Sequence, residues 1–288
     1  MELKIAILIA SYNRKIKTIT CINQILNQDF CNDFRIEIFL TDDASNDGTF
    51  DSVKTLFPQV HLFMGTGSLF WAGGMRNSWR KAIEHELEFD YYLLINDDTF
   101  LYKDSILKLI NQSKSFFNLN NKHAVVIGTT INPDTGKITY GGRKLYSKFR
   151  PSGYLINDSE LCLECDLGEA NIMLVHTSIV AQIGILSDSY THGIADYDYS
   201  LTAKKNGFKV IVAPGIFGTC LDDHGKNWKS ADTSLKERIS FLYSPKGLAY
   251  KEYLLYIKKH FPFHIPEAIF KLWLKTLFPF VYDKLKQD

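Results

Sequence analysis

Within the first hundred residues, three polar groups each close a short apolar run: Ser11-Tyr12-Asn13-Arg14, Asp42-Asp43 and Asn96-Asp97-Asp98. Any one of them alone reads as an ordinary turn, because Asp and Asn are common turn residues. Three of them brought to one sheet edge gather several carboxylates, which repel unless a cation sits among them. Hard oxygen ligands suit Mg²⁺ or Mn²⁺, and such an ion commonly bridges protein carboxylates to phosphate oxygens. Further along, Asp196-Tyr197-Asp198 opens a helical pattern, where an acidic first turn by itself serves to stabilise the helix. The glycine-rich run from Gly65 to Asn77, which includes Trp71, Gly73 and Gly74, has small residues that admit a close phosphate, and the next helix offers its N-terminal amides. Asp222-Asp223-His224-Gly225 is a polar, turn-rich run with one imidazole beside two carboxylates. Lys226 and Lys229 in the same run are expected to reach phosphate oxygens, and Trp228 to close as a lid.

The elements that must carry these groups follow from periodicity. Residues 4–10 form a short, wholly apolar run, as expected of a buried strand. Ile16, Ile19, Ile22, Ile25 and Leu26 then recur at helical spacing, residues 36–40 form a second strand, and Asp47 is placed as an N-cap for a helix through Leu56. Strands at 60–64, 91–95, 124–128 and 209–212 alternate with helices near 75–86, 104–117 and 197–206. Strand then helix at this pace is the rhythm of a parallel sheet, whose ligands bind outside the carboxyl ends of the strands. Residues 132–166, rich in Gly and Pro, read as irregular hairpins over the sheet, and 168–186 as strand then helix.

In order and spacing over residues 4–225, these motifs resemble the inverting family 2 glycosyltransferases of the GT-A fold, and the subgroup that transfers rhamnose in particular. Thr41-Asp42-Asp43-Ala44-Ser45-Asn46-Asp47-Gly48-Thr49 is similar to the family's DDxSxDGT segment, and Asn96-Asp97-Asp98 stands in the place of its DxD motif, with Asn for the first Asp. The resemblance implies an α/β architecture: a single mostly parallel nucleotide-binding sheet flanked by helices, with a C-terminal helical appendage. It implies donor-nucleotide contacts from Ala10, Ser11, Tyr12, Asn13, Arg14, Asp42, Asp43, Trp71, Gly73, Gly74, Asn77, Asn96 and Asp97. Tyr12 packs on the base, and Asp98 and His224 hold Mn²⁺ or Mg²⁺. Gly193 to Leu201 is similar to the family's EDxDxxxR segment, which makes Asp196 the base and leaves Asp198 to hold the neighbouring helix or the acceptor. Ala195 replaces the family's Glu, and Lys204 stands near its Arg. His192 is the remaining candidate for an acceptor contact.

The donor implied is a dTDP- or UDP-linked sugar, and the acceptor a glycan or lipid-linked glycan in bacterial surface polysaccharide synthesis. The alternatives are a sugar nucleotidyltransferase and a non-catalytic carbohydrate-binding relative. Against the first, Ser11-Tyr12-Asn13-Arg14-Lys15 lacks the glycines of a phosphate loop; the same absence excludes a dinucleotide-binding dehydrogenase. Against the second stand Asp98 and Asp196.

With 33 Lys+Arg against 32 Asp+Glu over 288 residues, nothing global calls for nucleic acid as a partner. Five cysteines without framework spacing favour a reducing compartment, and the first residues are too poorly flanked for a signal peptide, which points to the cytosol. Cys162 and Cys165 are spaced as half a zinc site, with no second half. The expected division is a catalytic domain over 1–230, with a nucleotide-sugar half at about 1–128 and an acceptor half at about 129–230, followed by a segment over 231–288. In that segment residues 246–288 carry eight Lys against four acids, and ten of the chain's 39 aromatics fall between Tyr250 and Tyr282. A basic, aromatic helix suits peripheral contact with the inner face of an anionic membrane. A cap on the core and a homodimer interface are its other uses.

Overall fold

The computed structural model describes residues 2–29, 34–222 and 233–281. Strand β1 (Leu3–Ser11) leads to helix α1 (Lys15–Leu26), β2 (Phe34–Asp42), α2 (Thr49–Leu56), β3 (His61–Met64), α3 (Phe70–Ile83), β4 (Tyr91–Ile95), β5 (Phe100–Leu101), α4 (Ser105–Asn120) and β6 (Ala124–Ile127). Short strands β7 (Thr130–Ile131), β8 (Ile138–Tyr140), β9 (Gly142–Leu145), β10 (Gly153–Ile156), β11 (Leu163–Cys165) and β12 (Leu167–Gly168) precede β13 (Ile172–His176) and α5 (Thr177–Ile183). Then come α6 (Ala195–Lys205), β14 (Lys209–Val212), β15 (Gly218–Thr219), α7 (Leu235–Tyr243), α8 (Tyr250–His260) and α9 (Ile265–Leu277).

The main sheet has eight strands in the order β11-β14-β6-β13-β4-β1-β2-β3. β1, β2, β3 and β4 run parallel, as do β6 and β14, whereas β13 is antiparallel to both its neighbours and β11 antiparallel to β14. The Gly- and Pro-rich stretch contributes β8, β9 and β10 to two small sheets, β10-β9-β12 and β5-β15-β7-β8, completed by strands from outside it, and sends β11 to the edge of the main sheet.

A strand covered on both faces must be apolar at every position, and β1 is. Its Ile5, Ile7 and Ile9 pack with Cys21, Ile22 and Ile25 of α1 on one face, while Ala6, Leu8 and Ala10 face Met75 and Trp79 of α3 on the other. The small side chains on that second face let α3 lie close. A Cβ added at Gly74 would sit 2.9 Å from the Ala10 Cβ, so Gly73 and Gly74 belong to the helix and its packing rather than to a loop around phosphate. The helix therefore starts five residues earlier than its periodicity suggests. The N-cap of α2 is Gly48, in the left-handed conformation, rather than Asp47, which sits one residue further out and accepts from the Thr49 amide at 3.0 Å.

The C-terminal segment does not stand apart from the domain. Tyr256 and Ile257 of α8, with Phe261 and Ala268, join the same buried cluster as Trp79 and Tyr199. Among the described residues no helix is long and apolar enough to cross a membrane.

Candidate active site

The parallel register of β1, β2 and β4 delivers their C-terminal ends side by side, with Ser11 opposite Asp42. There a cavity of about 630 Å³ opens, within the size range of small-molecule sites. Ala10, Ser11, Tyr12, Arg14, Asp43, Trp71, Asn96, Asp97, Asp98, His192 and Asp196 all line it.

Asp97 and Asp98 are buried at the turn after β4, and Arg14 bridges them, its Nη1 donating to Asp97 Oδ1 at 3.1 Å and Asp98 Oδ2 at 2.6 Å. Lys17 approaches Asp98 at 3.6 Å. Burial pushes the Asp97 carboxyl up to about 6, opposed by the Arg14 charge and reinforced by Asp98. Two carboxylates that already draw a guanidinium fit a hard divalent cation, which commonly takes one or two protein carboxylates and completes its shell with substrate phosphate. Among the described residues no cluster of three or more His, Cys, Asp or Glu forms a cage without such help. His224, the expected third ligand, lies outside the described residues, as do Asp223, Lys226, Trp228 and Lys229.

Asn96 accepts the Trp71 indole N–H at 2.7 Å, so the residue replacing the first Asp of the motif is fixed from the start of α3. Asp43 organises the same wall. Its Oδ1 accepts from the Gly67 amide at 2.8 Å and its Oδ2 from the Phe70 amide at 3.0 Å, at the N-terminus of α3 where a negative charge is favourable. Gly65 is required beside it, because a Cβ there would lie 2.6 Å from Asp43 Oδ1.

Asp196 stands in the first turn of α6, where its Oδ2 accepts from the Ala170 amide at 3.1 Å. Burial pushes its carboxyl up to about 6, with the nearby Glu169 charge adding to the rise and backbone donors opposing it. Ile194, just before it, holds φ at 74°. For a β-branched residue this left-handed conformation is strained, and such strain concentrates at functional sites.

The geometry places several residues expected at the site in other contacts. Asp42 is fully buried and accepts from the Ser45 hydroxyl and amide, which makes it the organiser of its own turn. Asn13 ties the loop after β1 to the loop after β2, with Oδ1 accepting from the Asn46 amide and its own amide donating to Ser45 Oγ, both at 2.8 Å. Asn77 donates to Thr41 Oγ1 at 3.0 Å between α3 and β2. Asp198 is 2% exposed and fully engaged by Tyr190 Oη, Lys259 Nζ and His260 Nε2 at 3.0, 2.9 and 2.7 Å, so it holds α8 against α6 instead of meeting an acceptor. None of Asp42, Asn13, Gly73, Gly74, Asn77 and Asp198 lines the cavity.

The cavity also contains residues that sequence reasoning passed over. Glu169 accepts from Tyr197 Oη at 2.7 Å, the Gly141 amide at 2.9 Å and Arg143 Nη1 at 3.3 Å, forming a buried polar wall beside Asp196 with Tyr140 and Asn171. The polar triplet Glu169-Ala170-Asn171 directly before β13 was its only sequence signal. Lys246, from the segment before α8, is the other addition.

A mixed sheet with a strand-end carboxylate pair and a second carboxylate at a helix start, all facing one cavity, has the architecture of a GT-A fold. The family profile for "Glycosyl transferase family 2" matches residues 6–175. The chain belongs to the family 2 glycosyltransferases. No curated protein matches it significantly. Among solved structures it is similar to the mannosyltransferase PcManGT from Pyrobaculum calidifontis in complex with GDP-Man and Mn²⁺, at a TM-score of 0.55 and 14% identity over 96% of this chain and 71% of that one. It is also similar to S. aureus TarS 1-349, at 0.52 and 14% over 76% of this chain, spanning 60% of the TarS chain. TarS 1-349 in complex with UDP-GlcNAc matches at 0.52 and 15%, over 96% of this chain and 80% of that one.

Proposed function

We propose that the protein transfers a sugar, with inversion, from a nucleotide diphosphate sugar to a hydroxyl of a glycan or lipid-linked glycan. The observation that carries this reading is that the Asp97/Asp98 pair and the base candidate Asp196 line one cavity. Tyr12, 43% exposed, offers a ring face to the base, and Asp43 holds the wall against which the ribose lies. Asp98, with Asp97, would hold Mn²⁺ or Mg²⁺. When bound, the ion supplies positive charge to the departing diphosphate. Asp196 takes the proton of the attacking hydroxyl, and a carboxyl with a pKa of about 6 is well matched to that task near neutral pH. Glu169 and Tyr197 keep the adjoining wall polar for acceptor hydroxyls. His192 lines the same cavity and is the second acceptor contact.

The ligands named for PcManGT and TarS, GDP-Man with Mn²⁺ and UDP-GlcNAc, support this donor class. For this chain Asn96 and the Trp71 stretch favour dTDP-rhamnose, with UDP-hexoses next. The test is a panel of dTDP-, UDP- and GDP-sugars assayed with Mn²⁺ for nucleotide release and transfer. Turnover of one donor that stops with EDTA and returns with Mn²⁺ is expected; no turnover of any donor overturns the reading.

An acceptor carried on lipid fits the exposed face of α9. Phe270 and Phe278, both at least half exposed, line an apolar groove with Pro266, Ile269, Trp273 and Leu274; Phe263 and Phe280, just beyond the two ends of the helix, are also exposed, and Lys271 and Lys275 lie on the same helix. Apolar side chains flanked by lysines suit an anionic bilayer surface at the inner face of the cytoplasmic membrane. Cosedimentation with anionic but not zwitterionic vesicles, weakened by Phe270→Ser with Phe278→Ser, is the expected result. A homodimer through this face would instead appear as a concentration-dependent mass.

A further inference from the structure

We propose that Lys246 binds the diphosphate of the donor, so that the C-terminal segment forms one wall of the donor site. This rests on the donor reading above and adds a residue that lies outside the family match, which ends at residue 175. Lys246 lines the cavity, and its Nζ stands 5.5 Å from the centre of the Tyr12 ring. Five carboxylates line the same cavity, those of Asp43, Asp97, Asp98, Glu169 and Asp196, against two basic side chains, Arg14 and Lys246. Arg14 is ion-paired with Asp97 and Asp98. Lys246 has no carboxylate partner among the described residues and is the cation left to meet an incoming anion. A cavity this acidic repels a diphosphate unless positive charge is added, and a lysine ammonium on a flexible stem is a common phosphate partner.

The backbone beneath that stem is built. Gly247, Leu248 and Ala249 donate to Ser244 O, Phe241 O and Ser244 O at 2.9, 3.0 and 3.1 Å, closing a tight turn between α7 and α8. Gly247 is needed in it, because a Cβ there would meet Phe241 O at 2.0 Å. Helix α8 is in turn fastened to the acceptor side: Glu252 accepts from the Thr191 amide at 3.0 Å and hydroxyl at 2.7 Å, beside His192. One short segment therefore presents Lys246 to the donor and steadies the loop that precedes Asp196. A nucleobase stacking on Tyr12 takes the ring face that the ammonium now covers and leaves the ammonium beside the phosphates that follow the ribose.

The test is calorimetry of UDP, dTDP and GDP with Mn²⁺ on the wild type, Lys246→Met and Lys246→Arg, with the donor KM and kcat of each. For the nucleotide that binds the wild type, Lys246→Met is expected to weaken binding about tenfold, the loss of one charge-assisted contact. The donor KM should rise by the same factor with kcat little changed, and Lys246→Arg should restore most of the loss. The Met variant should also show a shallower dependence of affinity on salt, because one ionic contact is gone. If the wild type binds a nucleotide and Lys246→Met binds it equally well, this inference falls while the donor reading stands. If the wild type binds none of the three, the donor reading falls and takes this inference with it. Lys246 is solvent-exposed and its side chain packs only over the exposed Tyr12 ring, so a folding defect is not expected, and an unchanged melting temperature verifies that.

Discussion

The Trp71 indole donates to Asn96 Oδ1 at 2.7 Å and so joins the start of α3 to the turn that carries Asp97 and Asp98. Asparagine meets this need without placing a third carboxylate beside two that already share Arg14.

Trp71→Phe keeps most of the ring and removes the donor. Losing one neutral hydrogen bond costs about 1 kcal/mol, so kcat/KM for the donor should fall several-fold while the melting temperature moves little. Unchanged kinetics would show that Asn96 is placed by its own turn alone.

Asp196→Asn should abolish transfer while leaving nucleotide affinity within about twofold, since the amide fills the same space without accepting a proton. The pH dependence has a definite sign. The base must be ionised, and its carboxyl titrates near 6, so kcat/KM should rise through pH 6 and level off above it. Transfer by the Asn variant equal to wild type would remove Asp196 from this role.

Asp198 predicts a loss of stability rather than of substrate contact. Burial alone would raise its carboxyl, but hydrogen bonds and charge from His260 and Lys259 hold it below the usual range. Burial lowers the His260 pKa, against the pull of Asp198. A depressed carboxylate stabilises the fold above its unfolded pKa, and that stability is lost as pH falls through the folded value. A buried neutral imidazole loses stability on the same acid side, when it must take up a proton. Asp198→Asn should therefore lower the melting temperature at pH 7, by an amount equivalent to about 2 kcal/mol, and should narrow the gap to wild type at acid pH. A gap that widens toward acid pH would contradict this.

Gly74→Ala tests how closely α3 approaches β1. Helix propensity alone would favour Ala by about 1 kcal/mol. The added Cβ would meet Ala10 Cβ at 2.9 Å, and overpacking of this kind costs about 1–3 kcal/mol. Net destabilisation in thermal melts is expected; a stabilised variant would show that the helix shifts freely.

Much of the fold was legible because its signals are local. The unbroken apolar run of β1, the periodic isoleucines of α1 and the Tyr91–Ile95 run each announce an element within a few residues, and a parallel sheet then brings their carboxyl ends together. This was enough to gather Ser11, Tyr12, Arg14, Asp43, Asn96, Asp97 and Asp98, which do line one cavity, at one sheet edge; Asp196, on the same cavity, came from the family resemblance and not from periodicity. What the sequence could not state was where each carboxylate points. Asp42 and Asp43 are neighbours of one type, yet alternation along the strand turns one into its own loop and leaves the other at the cavity wall. Gly73 and Gly74 looked like a phosphate loop because the small residue that Gly74 fits against, Ala10, lies more than sixty positions away. Whether Asp198 holds a helix or an acceptor was decided by Lys259 and His260, which arrive from α8, and Lys246 carried no motif at all. Periodicity and turn chemistry are set by adjacent residues and can be read in order along the chain. The direction of a side chain and the company of a charge depend on segments brought together only when the core closes, and these the tertiary structure alone decided.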